Sequence, residues 1–86
     1  MTYRVEILPS AQRELAVLSS KEQKRINERI GRLAELPRPP GVTVLQGKKD
    51  TYYRVRVGDY RIIYQIKDKA LVVLVVKIGH RREVYR

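Results

Sequence analysis

The stretch Tyr52–Ile66, YYRVRVGDYRIIYQI, decides the architecture. Two runs of β-branched and aromatic residues flank Gly58-Asp59, a pair suited to a two-residue type II′ hairpin with glycine first. Such a loop pairs Val57 with Tyr60, Arg56 with Arg61, Val55 with Ile62 and Arg54 with Ile63. Alternation then places Tyr53, Val55, Val57, Tyr60, Ile62 and Tyr64 on one face, which can pack on helices. The other face carries Arg54, Arg56 and Arg61, two of them directly opposite one another. Like charges in that position destabilise a sheet by up to about 1 kcal/mol. Anion binding supplies a reason to keep them, because each guanidinium offers forked donors to phosphate.

Upstream of the hairpin, residues 2–8 (TYRVEIL) alternate as a half-buried strand. Pro9-Ser10 opens a helix, with Ser10 read as its N-cap and Ala11, Leu15 and Leu18 along one side. Ser19-Ser20 separates this helix from a second one. Both Ser19-x-x-Glu22 and Ser20-x-x-Gln23 fit a capping box. Ile26, Ile30, Leu33 and Leu36 then recur at helical spacing, and Pro37 ends the run. Residues 37–41 (PRPPG) form a stiff connector to a short strand at Val42–Gln46.

Downstream, Asp68-Lys69 marks a turn, and Ala70–Ile78 reads as a strand ended by Gly79. Its unbroken apolar run from Leu71 to Val76 predicts a central strand covered on both faces. The order β-α-α-β-β-β-β predicts an α+β fold, two N-terminal helices on a mainly antiparallel sheet, with residues 1–86 as one domain.

The charge balance narrows the function. Nineteen Lys and Arg stand against nine Asp and Glu, a net charge of +10, so the chain attracts polyanions. It contains no cysteine, which excludes disulfides, thiolate chemistry and Cys-type zinc sites. No apolar run approaches the roughly 18 residues of a membrane span. The N-terminus does not read as a signal peptide, so the expectation is a cytoplasmic protein without membrane contact. The acids are scattered, with no D-x-D or E-x-x-H grouping. A two-metal nuclease needs convergent carboxylates, so neither a metal nor another cofactor is expected. The remaining route to RNA cleavage is attack by the RNA's own 2′-hydroxyl, with arginines stabilising the charge on phosphate.

The C-terminal residues 80–86 (HRREVYR) extend the basic set with Arg81, Arg82 and Arg86. His80, the single histidine, is a candidate acid–base residue or an ordinary polar loop residue. Tyr3, Tyr53, Tyr60 and Tyr64 fit the packed side. Tyr52 and Tyr85 suit stacking on bases or holding a phosphate oxygen.

YYRVRVGDYRIIYQI followed by LVVLVVKIGHRREVYR (Leu71–Arg86), with YRVEILPSAQRELAVL (Tyr3–Leu18) at the start, resembles the RelE branch of the RelE/ParE toxin superfamily over essentially the whole chain. The resemblance implies the RelE-like fold and a toxin of a type II toxin–antitoxin pair. It implies an endoribonuclease that enters the ribosomal A site and cuts mRNA there. It also implies an acidic RelB-like antitoxin, with operator DNA contacted only through the antitoxin complex. Carried over by motif, Arg54, Arg56 and Arg61 contact phosphate, and Arg81 and Tyr85 complete the catalytic set. Tyr52, Arg82 and Arg86 join Arg54, Arg56 and Arg61 as the expected RNA contacts. Well-studied members carry lysine at the positions of Arg54 and Arg56. Arginine is almost never deprotonated, so a proton-accepting role does not transfer readily. The chain also ends at Arg86, short of a C-terminal helix found in some members, which bears on how an antitoxin would hold it. Two other readings share these features: a ParE-like poison of DNA gyrase without chemistry, and an inactive nucleic-acid-binding module.

Overall fold

The hairpin forms in the expected register. In the computed structural model, which describes residues 2–80, Val57 pairs with Tyr60 and Arg56 with Arg61. Gly58 takes φ +58° while Asp59 keeps a negative φ, the pattern a type II′ loop requires. The elements are β1 (Arg4–Ile7), α1 (Pro9–Ala16), α2 (Ser20–Glu35), β2 (Thr43–Gln46), β3 (Thr51–Val57), β4 (Tyr60–Lys67) and β5 (Val72–His80). The two helices pack on one face of a five-stranded sheet of order β1-β5-β4-β3-β2. Among the described residues, only the β1–β5 pair is parallel.

The helix entries differ from the sequence reading in one respect. Leu8, not Ser10, is the N-cap of α1, and no side chain caps it. Pro9 occupies the first turn, where its fixed φ suits the helix and its missing N–H costs nothing. Ser10 is thereby carried inside. For α2 the box is Ser19–Glu22: the Glu22 N–H donates to Ser19 Oγ at 3.2 Å, and Ser19 Oγ donates to Glu22 Oε1 at 3.2 Å. The Ser20–Gln23 alternative is not used. Gln23 instead donates to the carbonyls of Ala16 and Leu18, closing the link between the helices.

Ile26, Ile30 and Leu33 of α2 are buried against Val55, Ile62, Tyr64, Val73, Val75 and Ile78. Each aliphatic side chain buried this way contributes about 1.5–3 kcal/mol. Leu36 does not join them. It is the C-cap, with φ −137°, and its side chain is 53% exposed. The backbone has already left the helix ahead of Pro37, which turns the residue off the apolar stripe.

Tyr64 locks the connector to the core. Its hydroxyl donates to the buried Pro37 carbonyl at 2.6 Å, and burial pushes its pKa up to about 12. Tyr64→Phe leaves that carbonyl unpaired and is expected to cost about 1–3 kcal/mol in urea unfolding at neutral pH. The sign of the pH effect follows from the raised pKa. Tyr64's contribution is complete below pH 10 and is lost as pH rises through about 12, a loss the Phe variant should lack. Equal urea midpoints for the two proteins at neutral pH would contradict this role.

The last strand departs most from expectation. Asp68–Leu71 form the turn, with Leu71 at φ +54°, so β5 starts at Val72 rather than Ala70. It also passes through Gly79 to His80, because Gly79 pairs with Arg61 and His80 with Tyr60. β5 is central, but helices cover one face only. Val73, Val75 and Ile78 are buried beneath them, while Leu74 and Val76 are half-buried. A bulge between Ile63 and Tyr64 of β4 makes Val76 the extra residue in the β5 ladder. Where β1 stops short, Glu14 of α1 takes its place at the edge of β5. The carboxylate accepts the Ile78 N–H at 2.9 Å and the Lys77 ammonium at 2.8 Å.

Candidate functional site

The sheet face turned away from the helices presents the arginines. Arg54 stands opposite Thr43 on β2 and Ile63 on β4, and Arg56 stands opposite Arg61. In a two-residue hairpin the Arg56–Arg61 pair is a non-hydrogen-bonded one, with Cα atoms about 4.5 Å apart. Arg54, Arg56 and Arg61 line a cavity of about 130 Å³ together with Gly41 and Thr43. The sequence reading thus placed all three arginines on the correct face and at one site.

Their environments differ. Arg56 is exposed and Arg54 half-buried, whereas Arg61 is 4% exposed and donates from Nη1 to the Tyr60 carbonyl at 3.3 Å. Its neighbour across β4–β5 is Gly79, which places no side chain beside it. A guanidinium fixed in a paired strand and shielded from water meets an anion with less screening than an exposed one.

Gly41 and Thr43 were not singled out in the sequence. Gly41 reaches the cavity because the connector is pinned: Arg38 pairs with Asp68 at 2.9 Å and lies 5.4 Å from the Tyr53 ring centroid. Hydrogen bonding from Arg38 holds the Asp68 carboxyl below the usual carboxylate range. Gly41 itself turns at φ +84°, a conformation that favours glycine.

A second basic hollow was also missed. Arg25, Arg29 and Arg32 of α2, with Glu28, meet Arg56, Val57 and Gly58 around a cavity of about 300 Å³. A side chain on Gly58 would meet the Arg25 guanidinium, since its Cβ would fall 3.1 Å from a terminal nitrogen. Arg56 lines both cavities, so positive charge runs from α2 around the hairpin onto the sheet face. The i, i+4, i+7 spacing of the helix arginines was the available signal, but their meeting with a distant hairpin is tertiary.

Tyr52 lies on the same sheet face as Arg54, two residues earlier on β3. With Leu45, Ile63 and Val76 it borders an open apolar depression. His80 is not brought to the arginines. It faces the helices, with its ring edge-on to Tyr60 at 5.6 Å, beside Glu14, Val17 and Leu18. The sheet separates it from the arginine cavity. Arg81, Arg82, Tyr85 and Arg86 lie outside the described residues.

Fold and basic face together define a small α+β domain built to present arginines from a twisted sheet. Residues 5–85 match the family described as the ParE toxin of type II toxin–antitoxin systems, parDE. The mRNA interferase toxin RelE of Escherichia coli K12 is 31% identical over 88 residues, covering 99% of this chain and 92% of that protein. Toxin RelG of Mycobacterium tuberculosis is 29% identical, covering 100% and 99%. Among solved structures, the archaeal RelE–RelB complex from Pyrococcus horikoshii superposes with a TM-score of 0.83 at 35% identity, covering 94% of this chain and 97% of that one. The chain belongs to the ParE-toxin family of type II toxin–antitoxin systems and is a RelE-like toxin.

Proposed function

We propose that the toxin is an endoribonuclease that cuts mRNA in the ribosomal A site without a metal. The observation that carries this is the cavity lined by Arg54, Arg56 and nearly buried Arg61, which suits a phosphodiester. The names of the relatives, RelE mRNA interferases, support the same reaction class.

In the reaction, the 2′-oxygen attacks the adjacent phosphorus and the P–O5′ bond breaks. The products are a 2′,3′-cyclic phosphate and a 5′-hydroxyl. Arg61, Arg54 and Arg56 stabilise the charge that builds on the non-bridging oxygens. One proton must leave the 2′-hydroxyl and one must reach the departing 5′-oxygen. Arg81 and Tyr85 are assigned to the leaving-group side of this transfer, and Arg82 and Arg86 to RNA backbone contact.

The partner is a RelB-like antitoxin, by likeness to the RelE–RelB complexes that this chain superposes on, and we assign it an acidic segment seated on the arginine face. Its carboxylates would neutralise the exposed arginines, and operator DNA would be reached only through that complex. The site of action is the cytoplasm, where translating ribosomes are. Among the described residues no helix is long and apolar enough to cross a membrane.

The parDE description of the matching family favours one other reading, a gyrase poison that performs no chemistry. Induction in cells separates the two. A ribosome-dependent nuclease stops amino-acid incorporation first and leaves DNA intact, and co-induction of the antitoxin restores growth. Filamentation and DNA breaks with protein synthesis continuing would assign the toxin to gyrase instead.

A further inference from the structure

We infer that Tyr52, with Leu45, Ile63 and Val76, forms a shelf on which one nucleobase of the bound RNA stacks while the neighbouring arginine cavity holds a phosphate. This rests on the ribonuclease reading and adds to it a base-binding subsite.

The register puts shelf and cavity side by side. Thr43 pairs with Arg54, and two residues along both strands Leu45 pairs with Tyr52. That step is about 7 Å along a strand. Ile63, which lines the shelf, stands opposite Arg54, which lines the cavity, so the two hollows are neighbours on one sheet face. The shelf is an open depression of about 380 Å³.

The Tyr52 ring is already in place before any ligand arrives. It lies against the β2–β3 turn, where a Cβ on Gly47 would fall 3.2 Å from the ring and 2.8 Å from the Asp50 carbonyl oxygen. A ring held this way loses little freedom when a base covers it. The Lys77 stem borders the shelf, but its ammonium is paired with Glu14.

The choice of occupant follows from chemistry. The ligand must offer a flat apolar surface and, within a few ångströms, an anion for Arg54. A nucleotide carries both on one unit, and base stacking on an aromatic ring tolerates any base. An apolar protein segment would fit the shelf but leave the adjacent guanidiniums facing it.

The test uses ribosomes programmed with mRNA whose A-site codon is intact or abasic at one of its three positions. Cleavage rates are compared for wild type, Tyr52→Ala and Tyr52→Phe, with thermal melts confirming that each variant folds. On the intact codon, Tyr52→Ala should be slower by about tenfold or more, and Tyr52→Phe, which keeps the ring, should recover most of that loss. At one abasic position the Tyr52→Ala defect should disappear, because the base it stacks on is already missing. A defect equal on every template gives Tyr52 a purely structural role and overturns the shelf. So does Tyr52→Ala cutting like wild type, the result expected if the shelf holds a protein partner. Failure of wild type to cut the intact codon would sink the ribonuclease reading itself, and the shelf with it.

Discussion

Arg61→Ala is expected to lower cleavage of ribosome-bound mRNA by about 10²-fold or more, the range for removing one preorganised donor to a developing oxyanion. Arg61 has the strongest claim of the three arginines. Its side chain is nearly buried, its strand is paired on both sides, and it lies at the cavity that Arg54 and Arg56 also line. Stability should change little. Truncation removes packing of the buried stem, while Arg56 loses a like-charged neighbour worth up to about 1 kcal/mol. Steady-state rates and urea midpoints for Arg61→Ala and Arg61→Lys check this together. Lysine keeps the charge but not the fork, so it should recover only part of the rate. An Arg61→Ala protein that fails to fold would make the residue structural rather than catalytic.

Removal of residues 81–86 should abolish cleavage while leaving the sheet folded. The cut belongs after His80, because β5 runs to that residue and His80 pairs with Tyr60. Sequence alone ended the strand at Ile78; a cut after Gly79 would remove His80, a paired residue. The expectation for the segment rests on proton balance: the described arginines can hold charge, but a proton must still be moved. Single variants apportion the loss. Arg81→Ala and Tyr85→Phe should each slow cleavage by about 10²-fold or more. His80→Gln should stay near wild type, since His80 lies on the helix side of the sheet, away from the arginine cavity. If Arg81→Ala keeps its rate and His80→Gln loses it, a histidine mechanism replaces the one proposed.

The hairpin was legible because a two-residue loop fixes every pair that follows, and alternation then fixes every face. That one reading located Arg54, Arg56 and Arg61 together. The capping box at Ser19 and the stripe Ile26, Ile30 and Leu33 were legible for a similar reason, since both are local patterns. The errors came where tertiary pairing overrides a local signal. Gly79 reads as a strand breaker, yet pairing with Arg61 carries β5 through it. His80 reads as an acid–base candidate or a polar loop residue, yet the same pairing places it in the strand, on the face opposite the arginines. Leu36 continues a helical period that the backbone abandons before Pro37. The meeting of Arg25, Arg29 and Arg32 with the hairpin has no sequence signature beyond helical spacing. Neither does the arrival of Gly41 at the cavity, which depends on Arg38 reaching Asp68.

The central claim is that cleavage requires the ribosome, and mapping 5′ ends on two copies of one message tests it most directly. One copy carries a working start site and the other does not, and both are expressed with the induced toxin. The account predicts new 5′ ends within codons of the translated copy, lost with Arg61→Ala, and none on the untranslated copy. Equal cutting of both copies would contradict it, and no cutting of either would end the ribonuclease reading.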